Sequence, residues 1–78
     1  MKWEIRFSAL AQFRLGELDR YTLWLIFSWI AKNLENCQDP RSIGEPIVKG
    51  RQDRWRYKIG KYRLLCEIRD KDILIVTI

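Results

Sequence analysis

An α+β domain of order β-α-α-β-β-β, with two helices packed on one face of a small sheet, is predicted by three features of the sequence. Near the start, Trp3, Ile5 and Phe7 alternate with Lys2, Glu4 and Arg6, the period of a half-buried strand. From about Asp19 to Asn36 the apolar residues recur with a helical period, and Asp39 and Pro40 stop it. Three strand-like runs then follow, at about Trp55 to Ile59, Tyr62 to Arg69 and Ile73 to Ile78.

Between the first strand and the long helix, Ser8 is placed to cap a helix carrying Ala9, Leu10, Phe13 and Leu15, and Gly16 ends it before Asp19 opens the next. A polar loop containing Gly44, Pro46 and Gly50 joins the second helix to the sheet, and Asp70, Lys71 and Asp72 form the turn between the last two strands. At 78 residues, 1-78 reads as a single domain. A chain of that size buries about 60% of the surface that its unfolded form exposes, which predicts modest stability.

Fifteen Lys and Arg against ten Asp and Glu give a net charge of +5, which favours an acidic partner. The chain has no His, and its cysteines, Cys37 and Cys66, stand far apart without a CxxC, so zinc sites of the usual spacing are excluded and no metal or cofactor is expected. Both cysteines read as reduced thiols. The charged start MKWEIRF is unlike a signal peptide, and the apolar run LWLIFSWIA is too short to span a bilayer, so the expected location is cytoplasmic, with no membrane partner.

The stretch RWRYKIGKYR has the pattern of a hairpin. With Gly60 and Lys61 as a two-residue type II′ turn, Ile59 faces Tyr62, Lys58 faces Arg63, Tyr57 faces Leu64, Arg56 faces Leu65, Trp55 faces Cys66 and Arg54 faces Glu67. Trp55, Tyr57, Ile59, Tyr62, Leu64 and Cys66 then share an apolar face, and Arg54, Arg56, Lys58 and Arg63 share the other. In that register only Arg54 has an acidic partner, while Lys58 opposes Arg63 at a cost of up to about 1 kcal/mol. Two readings fit: a solvated outer face on which charge guards against aggregation, and a phosphate-binding surface on a rigid sheet.

The stretch IVKGRQDRWRYKIGKYRLLCEIRDKDILIVTI resembles the C-terminal sheet of the RelE/ParE superfamily of bacterial toxins, in which a W-R-Y-[RK]-I-G-x-Y-R run is common. DPRSIGEPIVKG resembles the loop before that sheet, and ELDRY…SWIAKNLEN the second helix. The resemblance implies a two-helix hairpin on a small twisted antiparallel sheet. It also implies metal-free cleavage of mRNA on the ribosome and neutralisation by a cognate antitoxin. Carried over residue by residue, Arg56 and Lys58 match the cations that contact and activate the scissile phosphate, and Arg63 matches the arginine that stabilises its charge. Arg54 and Lys61 are candidate RNA-binding residues beside them. Members of this type usually continue with a V-G-H-R-x-x-[VI]-Y segment, which is absent before Ile78, so a loss of activity is expected. A ParE-like gyrase poison belongs to the same superfamily.

The long helix departs from an ordinary surface helix. Leu18, Thr22, Leu25, Ile26, Trp29 and Asn33 share one arc, with Ile30 on its flank, and suit the core. Leu23, Trp24, Phe27, Ala31 and Leu34 fall on the other side and read as an association surface for a second copy or another protein, anchored by Trp24 and Phe27. Two functions follow. One is a ribosome-dependent endoribonuclease toxin working through Arg56, Lys58 and Arg63. The other is a catalytically silent or engineered module on the same fold that dimerises, or binds a partner, through the outer face of helix 19-36.

Overall fold

The computed structural model describes residues 2-78. Strand β1 (Glu4–Phe7) leads through Ser8 into α1 (Ala9–Gly16), followed by α2 (Arg20–Ile30), a π-helical turn (Ala31–Glu35) and a 3₁₀ turn (Pro40–Ser42). The remaining strands are β2 (Glu45–Pro46), β3 (Arg54–Ile59), β4 (Tyr62–Ile68) and β5 (Asp72–Thr77). They form one five-stranded sheet in the order β1-β5-β4-β3-β2. The α+β class and the two helices on one sheet are as the sequence implies.

The sheet is mixed at one edge, where β1 runs parallel to β5 while the other neighbours are antiparallel. Connectivity is the reason. After β1 the chain crosses the sheet face through the helices and enters the far edge at β2; three antiparallel steps then return β5 to β1 in the same direction.

Ser8 caps α1 as its position implies: its backbone is extended and its Oγ accepts from the Ala11 N–H at 3.0 Å. The same hydroxyl donates to the Val76 carbonyl, tying the helix start to β5. At α2, Asp19 has the N-cap backbone but accepts from the Thr22 hydroxyl rather than from a backbone N–H. That bond draws the Asp19 carboxyl below its usual range, and the backbone amides nearby act in the same direction.

The hairpin register is the one read from the sequence, pair for pair, from Arg54 opposite Glu67 to Ile59 opposite Tyr62. Gly60 has φ 58° and Lys61 has no positive φ, as a type II′ turn requires. Trp55, Tyr57, Ile59, Leu64 and Cys66 are buried beneath the helices with Ile26, Ile30, Ile73 and Ile75. On α1 only Ala11 and Leu15 are buried; Leu10 and Phe13 lie exposed.

Leu34 is a correction. An ideal helix puts it on the outer face with Trp24 and Phe27, yet it is 0% exposed and belongs to the core. The π turn is the cause. Its wider winding advances each residue by roughly 80° rather than 100°, so over Ala31–Glu35 the accumulated lag swings Leu34 inward. Among the described residues no helix is long and apolar enough to cross a membrane.

Candidate functional site

Arg56 and Lys58 on β3 and Arg63 on β4 project from the face opposite the core, with Lys58 directly across from Arg63. The repulsion implied by the hairpin is offset by a carboxylate from outside it. Strand β2 places Glu45 opposite Arg56, and Glu45 Oε1 lies 3.2 Å from Arg56 Nη2 and 3.7 Å from Lys58 Nζ. Glu45 falls within the loop that the sequence predicts, because a two-residue strand has no readable period. Arg63 makes no ion pair among the described residues.

Glu45 is held in place by the segment before it. Asp39 caps the 3₁₀ turn by accepting from the Arg41 N–H at 2.9 Å, and Arg41 Nε donates to the Gln52 carbonyl at 2.7 Å. Two core aromatics on β3 then reach out to the same segment: the Tyr57 hydroxyl donates to the Pro40 carbonyl at 2.6 Å and Trp55 Nε1 to the Ile43 carbonyl at 2.7 Å. Between them Gly44 adopts φ 78°, where a Cβ would stand 2.5 Å from the Arg56 carbonyl oxygen. Only glycine lets the loop approach β3 this closely. Burial pushes the Tyr57 phenol well above its ordinary pKa, with the nearby Cys66 and Cys37 acting in the same direction, so Tyr57 is a neutral donor.

These elements enclose one side of a cleft of about 480 Å³, whose other wall is the end of α2 and the π turn. Trp29, Asn33, Gly44, Glu45, Arg56 and Lys58 line it. Asn33 Nδ2 donates to the Trp29 carbonyl at 3.0 Å, and the Trp29 ring rests on Tyr57 with centroids 5.4 Å apart. Arg56 Nε is buried with no hydrogen-bond partner among the described residues. The arrangement offers an anion two cations, on both of which the Glu45 carboxylate is already seated.

The other candidate RNA contacts stand apart. Arg54 is exposed near the start of β3, its Nε 3.8 Å from Asp53; Glu67, opposite it in register, is engaged at 3.4 Å by Arg69. Lys61 lies in the turn with Nζ 5.6 Å from the centre of the Tyr62 ring. No group of three or more His, Cys, Asp or Glu side chains among the described residues is placed to hold a metal ion.

On the helical side, Trp24 is 62% and Phe27 45% exposed, and Ala31 is also exposed. Leu23 is half-buried against the core, and Leu34 is inside it. Tyr21, beside Trp24 with ring centroids 6.2 Å apart, and Phe13 on α1, 66% exposed, extend the apolar surface beyond the residues anticipated from the long helix.

The family model described as ParE toxin of type II toxin-antitoxin system, parDE, matches residues 5–78. Among solved structures, a chain of the toxin-antitoxin complex RelBE2 from Mycobacterium tuberculosis superposes with a TM-score of 0.83 at 23% identity, over 99% of this chain and 95% of that one. Comparison with curated proteins finds no match. With a match running through both helices and the whole hairpin, the chain belongs to the ParE toxin family of type II toxin-antitoxin systems, within the RelE/ParE superfamily.

Proposed function

We propose that this toxin is a metal-independent endoribonuclease that cuts mRNA on translating ribosomes in the cytoplasm, restrained by a cognate antitoxin. The observation that carries this reading is the cluster of Arg56, Lys58 and Arg63 on one face of a rigid hairpin, two of them already bridged by a carboxylate. In the proposed reaction a 2′-hydroxyl attacks the adjacent phosphorus, forming the P–O2′ bond as the P–O5′ bond breaks. The three cations offset the charge that builds on the phosphorane oxygens. Glu45, displaced from Arg56 and Lys58 by the phosphate, is left beside the scissile bond as an acceptor for the 2′-hydroxyl proton, and the departing 5′-oxygen takes up a proton from water.

The antitoxin's surface in this reading is the exposed aromatic face formed by Phe13, Tyr21, Trp24 and Phe27, an apolar area of the kind that protein partners cover. A second copy of the chain is the competing occupant. A single toxin mass by light scattering that becomes larger only with antitoxin assigns the face to the antitoxin, whereas a dimeric mass of the toxin alone assigns it to self-association.

The test of the activity is mRNA cleavage on translating ribosomes by this chain, with Arg63→Ala as control and a gyrase supercoiling assay alongside. Cleavage reduced at least about 100-fold in the variant is the expected result. A gyrase poison is the second reading, and it rests on analogy with ParE toxins. Gyrase inhibition without mRNA cleavage by the unmodified chain would establish it instead.

A further inference from the structure

The cleft beside the cations has features that gripping a phosphate does not require. Its volume of about 480 Å³ falls within the range of sites that enclose small ligands, whereas a phosphate alone needs only the two cations. Its far wall carries an aromatic ring and a primary amide, Trp29 and Asn33, neither of which adds to the charge.

We propose that this cleft is a nucleotide subsite: Trp29 provides a stacking surface for a base, Asn33 reads the base's hydrogen-bonding edge, and the attached phosphate replaces the Glu45 carboxylate on Arg56 and Lys58. The inference rests on the RNA reading above and names where one nucleotide beside the scissile bond sits. Single-stranded RNA is commonly recognised in this way, by stacking an unpaired base on an aromatic ring and bonding its edge. A base edge presents donors and acceptors side by side, which an amide can match with one of each.

Three observations converge on the cleft. Trp29 is half-buried, resting on Tyr57 at 53° while also lining the cleft. Asn33 follows Trp29 by four residues and so shares its side of the helix, and one bond from its Nδ2 to the Trp29 carbonyl orients its amide; its Oδ1 has no hydrogen-bond partner among the described residues. The Glu45 Oε1 position shows that one anionic oxygen can approach both cations, and Arg56 Nε is buried with no hydrogen-bond partner among the described residues. An exchanging carboxylate also serves selectivity, because a ligand must bring its own negative charge to displace it.

The experiment is titration of the full chain with the four nucleoside 3′-monophosphates and with inorganic phosphate, followed by NMR on backbone amides and on the Asn33 side-chain amide. At least one nucleotide is expected to bind five-fold or more tightly than phosphate, with the affinities of the four spread over about ten-fold and the Asn33 amide signal shifting. Asn33→Ala is expected to bring the four within about two-fold of one another while phosphate affinity stays unchanged. Glu45→Gln is expected to tighten phosphate and nucleotides alike by about three-fold or more. A melting curve identifies any variant that has lost its fold, and Asn33→Asp, of nearly equal size, then replaces Asn33→Ala with the same expected loss of the spread.

Nucleotides binding no tighter than phosphate, or a variant at Asn33 that keeps the wild-type spread, would overturn the subsite. Ribosomal cleavage is read separately. Cleavage without base discrimination removes the subsite alone, and discrimination without cleavage supports the subsite while removing the nuclease reading.

Discussion

Arg56, Lys58 and Arg63 stand on a five-stranded sheet whose other face is buried by the helices, and a pinned loop brings them a carboxylate. Trp24, Phe27 and Phe13 stand on the other side of the same small domain and are largely open to solvent, although Phe27 packs edge-on against Phe7. The hairpin is rigid because its backbone ladder and the apolar side chains below it set each residue's position, so it can hold like charges together despite their repulsion. The helical face is supported from beneath only. Its outer aromatics contribute little to folding, and their retained exposure is compatible with burial against another chain.

The strongest way to break this comparison is at Leu34 and Trp24, which an ideal helix places on the same outer side, about 80° apart. Leu34→Ala empties a fully buried position and is expected to lower unfolding free energy by about 2–5 kcal/mol in urea titrations. Trp24→Ala removes a side chain that is mostly in water and is expected to change it by less than about 1 kcal/mol. Equal losses would show that the π turn does not rotate Leu34 into the core.

A second test concerns the loop that carries Glu45. Gly44→Ala forces a side chain into a left-handed backbone and onto the Arg56 carbonyl, so a loss of more than about 1 kcal/mol is expected, together with NMR shifts centred on Ile43 to Glu45 and β3. Shifts confined to Gly44 itself would mean that the loop is not held against the strand.

The two cysteines sharpen the contrast between covered and uncovered surface. Burial pushes the Cys66 thiol up to about 12, and burial also raises Cys37, which is only half-covered. The folded chain holds the Cys66 proton over a range in which the unfolded chain releases it. The stability linked to it is therefore present below about pH 9 and declines as pH rises towards 12. Urea midpoints across that range check the slope, and a thiol reagent at pH 8 is expected to label Cys37 slowly in the folded chain and Cys66 only on unfolding.

The smallest effect is at Asp53, on the exposed approach to β3. Its hydrogen bonds from Arg51, at 2.8 and 2.9 Å, hold the carboxyl down to about 2, so the associated stability is present above about pH 4 and lost as pH falls towards 2. Asp53→Asn is expected to flatten that part of the acid-unfolding curve by a barely measurable amount, since the pair lies in water.

The hairpin was legible because two local rules settle it: side chains alternate with period two, and a Gly-Lys turn fixes the register. The core arc of α2 was legible in part for a similar reason: Thr22 and Ile26 are buried, Leu18, Leu25 and Trp29 pack half-buried against the core, the flanking Ile30 is buried, and Asn33 lines the cleft instead. Leu34 was misplaced because a π turn has no sequence signature that periodicity detects, and Glu45 was missed because its pairing with Arg56 depends on where a loop lands. Phe13 was unreadable as a surface residue, since an aromatic at helical spacing normally signals core.

By itself, then, the sequence determined the α+β order, the six hairpin pairs, the cationic face and the resemblance to the RelE/ParE superfamily, all of which arise from neighbours along the chain or across one tight turn. Tertiary structure alone decided that β1 runs parallel to β5, that Leu34 turns inward, and that Glu45 meets Arg56 and Lys58 beside a cleft walled by Trp29 and Asn33. Those outcomes depend on packing between segments far apart in sequence, where the geometry of contact, rather than the period of any one element, sets which side chains meet.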